Sequence, residues 1–216
     1  MDKFKTLKDH VYDYIAGEIQ VGRLIPDQRI NESVICDELK ISRTPVREAL
    51  IQLAAEGILE NKARRGFVIK TLSPEDACEL YEVIGLLDGF AAKKACDYLS
   101  KQDCSDMQFY VDTMSIAIDS GNFEMYCKQQ LLFHDLYTKK CGNSILAASI
   151  AQYKNKLLKM TYVDDPEGKT RKVLHENNKE HQEIVNLFSE HKADELFTYI
   201  SEVHWRSTNV EYDLIV

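Results

Sequence analysis

Apolar residues recur at helical spacing through most of this chain. Leu7, Val11, Ile15 and Ile19 fall four residues apart, and Val34, Ile35 and Leu39 follow Asn31, a residue type suited to capping a helix start. Val46, Ala49, Leu50 and Leu53 then repeat at i, i+3, i+4 and i+7, which puts one apolar face on a helix. Thr44-Pro45 predicts its beginning, because threonine can cap exposed amides and proline is accommodated at the first helical position. Lys40-Ile41-Ser42 is short enough to be the turn between two crossed helices. After Gly57 the period changes: Ile58-Leu59-Glu60 and Phe67-Val68-Ile69 predict two short strands, with Asn61 to Gly66 as a charged hairpin tip. Three helices and a β-hairpin make a winged helix-turn-helix. Arg43, Thr44 and Arg47 lie off its apolar face, at the start of the second crossed helix.

A new segment begins at Thr71-Leu72-Ser73-Pro74-Glu75-Asp76, where Ser73 as cap, Pro74 as first helical residue and Asp76 two residues on resemble a capping box. The domains are therefore expected at 1–71 and 72–216. Beyond the boundary the pattern is helical only. Leu80, Val83, Ile84, Leu87 and Ala91 stripe the first helix, Gly121-Asn122 and Cys141-Gly142-Asn143 punctuate later ones, and residues 164–168 form the longest loop. An all-α antiparallel helical bundle follows, and the chain as a whole is expected to be mainly α.

Three histidines of this bundle stand out by position. Phe123, Cys127, Gln130, His134, Tyr137 and Cys141 alternate four and three residues apart, so Gln130 and His134 share an inward stripe one turn apart. His181 leads Ile184, Val185 and Phe188, and His204 shares a face with Phe197, Ile200 and Ser207. His175 and His191 lie among polar residues at expected helix ends, the ordinary solvated condition. Three inward imidazoles on three helices can converge on a divalent ion such as zinc or nickel, or serve as hydrogen-bonded core residues.

Composition sharpens the division. The net charge is −8, yet residues 1–70 hold 12 lysines and arginines against 11 aspartates and glutamates, while residues 71–216 hold 15 against 24. The acidity belongs to the second part, and Asn61 to Lys70 carries four basic residues and no acidic one, so a positive field survives at the wing. Six cysteines without a Cys-x-x-Cys pair read as reduced thiols. No secretory leader core and no apolar run of about 20 residues is visible, so a cytoplasmic protein without a membrane span is expected.

The segments Ser42-Arg43-Thr44-Pro45-Val46-Arg47-Glu48-Ala49-Leu50, Glu56 to Glu60 and Arg64-Arg65-Gly66-Phe67-Val68-Ile69 resemble the GntR family of bacterial winged-helix transcription regulators, over about Leu7 to Lys70. The resemblance implies that Ser42, Arg43, Thr44 and Arg47 contact double-stranded DNA from the recognition helix and that Gly66, with Arg64 and Arg65 beside it, approaches the minor groove. The chemistry agrees, because arginine can donate two hydrogen bonds to guanine and hydroxyls suit phosphate oxygens at a helix start. Ser33 departs from relatives that carry arginine there.

Ser120 to Phe123, Phe133-His134, Gly142 to Leu146, Glu180 to Ile184 and His204 resemble the FCD domain of the FadR-type branch, over roughly Ser73 to Ser207. That resemblance implies a divalent metal held by an aspartate and three histidines; the histidine positions match as His134, His181 and His204, but the aspartate position is Gln130. It also implies a carboxylate-bearing effector completing the metal shell. Relatives grip the acid with an arginine where this chain has Ile84, so either the effector is less acidic or Arg171 or Arg206 replaces that clamp. The function expected is a ligand-responsive regulator that binds a palindromic operator as a homodimer. The alternative is a metal-dependent hydrolytic enzyme using the three histidines, for which no general base is evident beside them.

Overall fold

The computed structural model describes residues 6–20, 23–25, 27–70, 72–157, 162, 164–207 and 210; the side chain of Ile19 and residue Thr71 lie outside the described residues. The chain divides into two compact units, Met1–Leu72 with Asn155–Thr161, and Ser73–Lys154 with Tyr162–Val216.

The first unit contains α1 (Leu7–Gln20), α2 (Glu32–Leu39), α3 (Arg43–Ala55), β1 (Leu59–Lys62) and β2 (Gly66–Ile69). Asn31 caps α2 by accepting from the Ser33 amide at 3.0 Å. Helix α3 starts one residue earlier than the Thr44-Pro45 pair predicts. Its cap is Ser42, held extended at φ −73° and ψ 165° with no side-chain cap bond, and Pro45 sits in the first turn, where its missing amide proton costs nothing. Val46, Ala49, Leu50 and Leu53 are fully buried against Val11, Ile15 and Ile35. Gly57 leaves the helix at φ +76°, a left-handed turn that glycine adopts without strain. The strands pair antiparallel from Leu59 opposite Ile69 to Lys62 opposite Gly66, and Ile58, Leu59, Phe67 and Ile69 close the core.

The remaining elements among the described residues are all helical: α4 (Pro74–Ala95), α5 (Lys101–Asp119), α6 (Phe123–Lys140), α7 (Ser144–Leu157), α8 (Lys169–Ser189), α9 (Ala193–Tyr199) and a π-helical turn, Ile200–His204. They belong to the second unit, except residues 155–157 at the end of α7, which fall in the first. Ser73 caps α4 by accepting from the Asp76 amide at 3.0 Å, and Ser100 and Asp103 form a capping box on α5. No described helix is long and apolar enough to cross a membrane.

The inward face of α4 differs from the stripe that its large apolar residues suggest. Val83, Leu86 and Phe90 are exposed, and the buried face runs through Tyr81, Ile84, Gly85, Asp88, Gly89 and Ala92. Small residues define it because another backbone approaches there: a Cβ on Gly89 would lie 2.9 Å from the Phe197 carbonyl oxygen, and one on Gly85 would lie 3.1 Å from that of Ser201. Glycine at these positions is a packing requirement, since neither has a positive φ. The π turn ends beside this face. Its bond from the Trp205 amide to the Ile200 carbonyl, 3.0 Å long, spans five residues and widens the helix, so the adjacent His204 and Trp205 are both buried.

Gly89→Ala is therefore expected to lower unfolding free energy by about 1–3 kcal/mol through overpacking. Urea denaturation measures it, with Glu82→Ala, at an exposed position of the same helix, as the reference for an unspecific effect. A loss no larger than the reference would mean that the close approach has no energetic weight.

Candidate functional site

Two sets of residues carry candidate chemistry. The first lies on the winged unit. Ser42, Arg43, Thr44 and Arg47 are all exposed, directly above buried Val46, Ala49 and Leu50. The buried face fixes the helix, and the polar residues at its N-terminal end project from a rigid support. At the hairpin tip Arg64, Arg65 and Gly66 are exposed, and Gly66 turns the chain at φ +76° with open space where a Cβ would stand. Arg65 reaches back to Asp27, with Nη2 3.3 Å from its carbonyl oxygen, while Lys62 donates to the Asp27 carboxylate at 3.0 Å. That hydrogen bond, helped by the Arg65 charge, holds the Asp27 carboxyl below its usual range.

The second set is inside the bundle. α6, α8 and the π turn bring His134, His181 and His204 together, all buried, with their candidate ligand nitrogens within 4.8 Å of one another. His134 Nε2 and His204 Nε2 face each other at 3.3 Å. Their opposite nitrogens are occupied: His134 Nδ1 lies 3.1 Å from Asp88 Oδ2 and 2.7 Å from the Tyr137 hydroxyl, and His204 Nδ1 lies 3.0 Å from Glu180 Oε2. A carboxylate can only accept, so each of these Nδ1 atoms carries a proton, and in a neutral ring the lone pair is then on Nε2. Two lone pairs facing at that distance repel unless a cation or proton lies between them. His181 has both ring nitrogens buried without a hydrogen-bond partner among the described residues, a costly condition for an imidazole with no further partner.

Burial and the nearby Lys154 charge push the His134 imidazole down to about 3, and burial with the neighbouring histidines lowers His181 well below its ordinary value. Both rings are neutral at physiological pH, the form that coordinates metals. The residues fit a divalent ion. Two imidazole nitrogens on one tetrahedral ion at about 2.0–2.1 Å stand roughly 3.3 Å apart, the spacing found between His134 and His204.

Gln130, one turn before His134, is only half-buried, and the buried amide of this helix is the adjacent Gln129. Ile84 is fully buried in the core. Arg171 does not join the histidines: it donates to Asp164 Oδ2 at 2.6 Å and to the Asp119 carbonyl at 2.7 Å. Arg206 does come close, through Glu180 Oε1 at 3.1 Å. His175 lies within α8 rather than at its end, bonded to Asp119 at 2.9 Å, whereas His191 is exposed just beyond the helix.

Sequence reasoning missed Asp88, Lys154, Glu180 and Trp205. Asp88 Oδ2 accepts from Lys154 Nζ and from Trp205 Nε1, each at 2.9 Å. Burial alone would raise this carboxyl, but Lys154 and His134 outweigh it and keep Asp88 ionised; burial lowers Lys154 against the pull of Asp88. Glu180 had a readable signal, being the residue before His181 in a helix that also carries Ile184. Lys154→Met should cost about 3–5 kcal/mol, because it leaves the Asp88 charge buried without its cation. Adding Asp88→Asn should recover a large part, which urea unfolding of the single and double variants would read as a coupling energy. Additive losses would show that the pair is not coupled.

Residues 7–69 match the family described as bacterial regulatory proteins, gntR family, and residues 79–203 match the FCD domain. The chain is 27% identical over 175 residues to the Nta operon transcriptional regulator of Aminobacter aminovorans, covering 81% of this chain and 80% of that one. It is 28% identical over 141 residues to a probable D-xylose utilization operon transcriptional repressor of Paenarthrobacter nicotinovorans, covering 65% and 62%. Its fold is similar to that of E. coli McbR/YncC, with a TM-score of 0.82 at 19% identity over 93% of this chain and 94% of that one. The chain belongs to the GntR family of bacterial regulatory proteins and is a transcription regulator with an FCD effector-binding domain, not an enzyme.

Proposed function

We propose that this regulator binds a palindromic operator as a homodimer, reading DNA with residues 1–71 and holding effector, divalent metal and the dimer contact in residues 72–216. The observation that carries the DNA reading is the exposed set Ser42, Arg43, Thr44 and Arg47 above a fully buried helix face. Arg43 and Arg47 supply the fork that matches guanine O6 and N7, Ser42 and Thr44 contact phosphate oxygens, and Gly66 lets the backbone of the wing approach the minor groove with Arg64 and Arg65 beside it. One recognition helix reads few bases, so two protomers on inverted half-sites give useful specificity.

His134, His181 and His204 would hold the ion, with Gln130 able to offer an amide oxygen if its side chain turns inward. The ion would supply a positive centre with open positions, where a carboxylate-bearing effector can bind. Asp88 and Glu180 orient the rings from behind, and that supports a binding site over the hydrolytic alternative: neither carboxylate faces the metal side of an imidazole, where a general base would have to act on water. Effector binding then shifts the equilibrium between DNA-binding and DNA-released states by whatever difference in affinity it has for the two.

Arg43→Ala and Arg47→Ala are each expected to weaken specific binding by about 1–3 kcal/mol. Fluorescence anisotropy on the chain's own promoter at fixed salt reads this, with circular dichroism confirming the fold; unchanged affinity would remove the assigned roles. Protein purified without chelator or affinity tag is expected to carry close to one divalent ion per chain by elemental analysis, and His134→Ala to lose most of it. A wild type without metal would leave the triad as a hydrogen-bonded core.

A further inference from the structure

We propose that a second ligand site, for the carboxylate or phosphate group of a small organic anion, lies in the cleft of about 540 Å³ between the first half of α8 and Tyr199 and Arg206. Its coupling to the histidine triad rests on the metal reading above; the anion site itself does not.

The lining charges point to the ligand. Lys169, Lys172, Lys179 and Arg206 stand there against Glu176 and Glu180. Lys179 pairs with Glu176 at 2.8 Å, Arg206 with Glu180 at 3.1 Å and Lys169 with Glu167 outside the lining, so the lining keeps more cations than carboxylates although residues 71–216 as a whole are strongly acidic. A cationic hollow on an acidic surface attracts anions locally against the global field. The backbone amides at the start of α8 are not the recognition element, because Asp165 already accepts from those of Lys169 and Thr170 at 3.0 and 2.7 Å. Recognition falls to side chains. Tyr199 adds a donor: burial and the neighbouring Glu180 and Glu183 push its hydroxyl up to about 12, so it keeps its proton at neutral pH. Its ring and Val173 supply an apolar wall for the body of the anion.

Arg206 makes the cleft more than a sticky surface. Its Nη2 bonds Glu180 Oε1 at 3.1 Å, Glu180 Oε2 faces His204 Nδ1 at 3.0 Å, and His204 Nε2 faces His134 Nε2 at 3.3 Å. An anion seated on Arg206 can do two things. It offsets a positive charge close to the triad, and it competes with Glu180 for the guanidinium, leaving Glu180 a stronger acceptor for the His204 proton and making that imidazole a better ligand. Both effects favour a cation at the triad, so anion and metal should each tighten the other, by the same factor.

Isothermal titration of metal-free full-length protein with phenyl phosphate, and separately with succinate, tests the site. Saturable one-to-one binding of at least one probe is expected, weakened tenfold or more in Lys172→Glu and in Arg206→Gln; the preferred probe tells whether a phosphate ester or a carboxylate is the source of the anion. Binding of neither probe, or binding indifferent to both substitutions, overturns the site. Nickel affinity, measured by competition with a chromophoric chelator, should then tighten three- to tenfold with saturating probe in the wild type and stay unchanged in Arg206→Gln. No shift in the wild type overturns the coupling. A wild type that binds the probe but takes up no divalent ion overturns the metal reading and the coupling with it, and supports the anion site.

Discussion

The Asp88 carboxylate is the constraint on which the second unit turns. It is fully buried, and an ion taken out of water costs several kcal/mol, on the order of the stability of a whole domain, unless partners surround it. Its partners come from everywhere: Lys154 from α7, His134 from α6 and Trp205 from beyond the π turn. Each bond ties another helix to α4, and Lys154 also stands 5.1 Å from the centre of the Trp205 ring, within reach of a cation–π attraction. With Trp205 anchored on Asp88, the preceding residue is fixed as well. His204 is placed at the triad by an ion pair to which it does not itself belong.

The close approach of backbones makes this possible. Gly85 and Gly89 flank Asp88 on α4, and the Ser201 and Phe197 carbonyls occupy the space where side chains would otherwise stand. An α-helical continuation of α9 would turn His204 and Trp205 about 100° apart about the axis; the wider π turn, closed from Trp205 to Ile200, lets both face the interior. Burying an extra hydrogen-bonded indole and an imidazole in one step compensates for the poorer geometry of such a turn.

What the sequence made legible follows the same physics. The winged unit was readable because its core positions are large and apolar at α and β periods and its turns use Asn31, Gly57 and Gly66, whose chemistry is local. The start of α3 moved from Thr44 to Arg43, since a cap depends on backbone angles that Ser42 and Thr44 can adopt equally well, and the strands run on to Lys62 and back to Gly66, so the hairpin tip is shorter than Asn61 to Gly66. His134, His181 and His204 were readable from neighbours such as Tyr137, Ile184 and Ile200 on shared faces. The face of α4 was not. Hydropathy weighs Val83 and Leu86 above Gly85 and Gly89, so it points to the exposed side of that helix, and a single aspartate among small residues looks like a solvated one. Lys154 was hidden for the same reason: what buries a charge is a partner 66 positions away in the chain, which no local pattern encodes.

Charge explains why such partners matter to the proposed metal site. Three imidazoles bring no negative charge to the ion, and Gln130 would bring none. Asp88 and Glu180 supply negative charge only from behind the rings, and each is matched by a cation, Lys154 or Arg206. The two chains are alike in order, cation to carboxylate to imidazole, but unlike in exposure. Lys154 is 11% exposed and Arg206 is 46% exposed. Interior electrostatics is little screened by salt, whereas a half-exposed guanidinium feels both solvent and ligands. Nitrogen ligands without a direct carboxylate favour borderline ions such as zinc or nickel over hard, oxygen-seeking ones. With affinity limited by charge rather than by geometry, the outer cation that solvent can reach is the one whose neutralisation changes the site most, while the Asp88–Lys154 pair holds its frame constant.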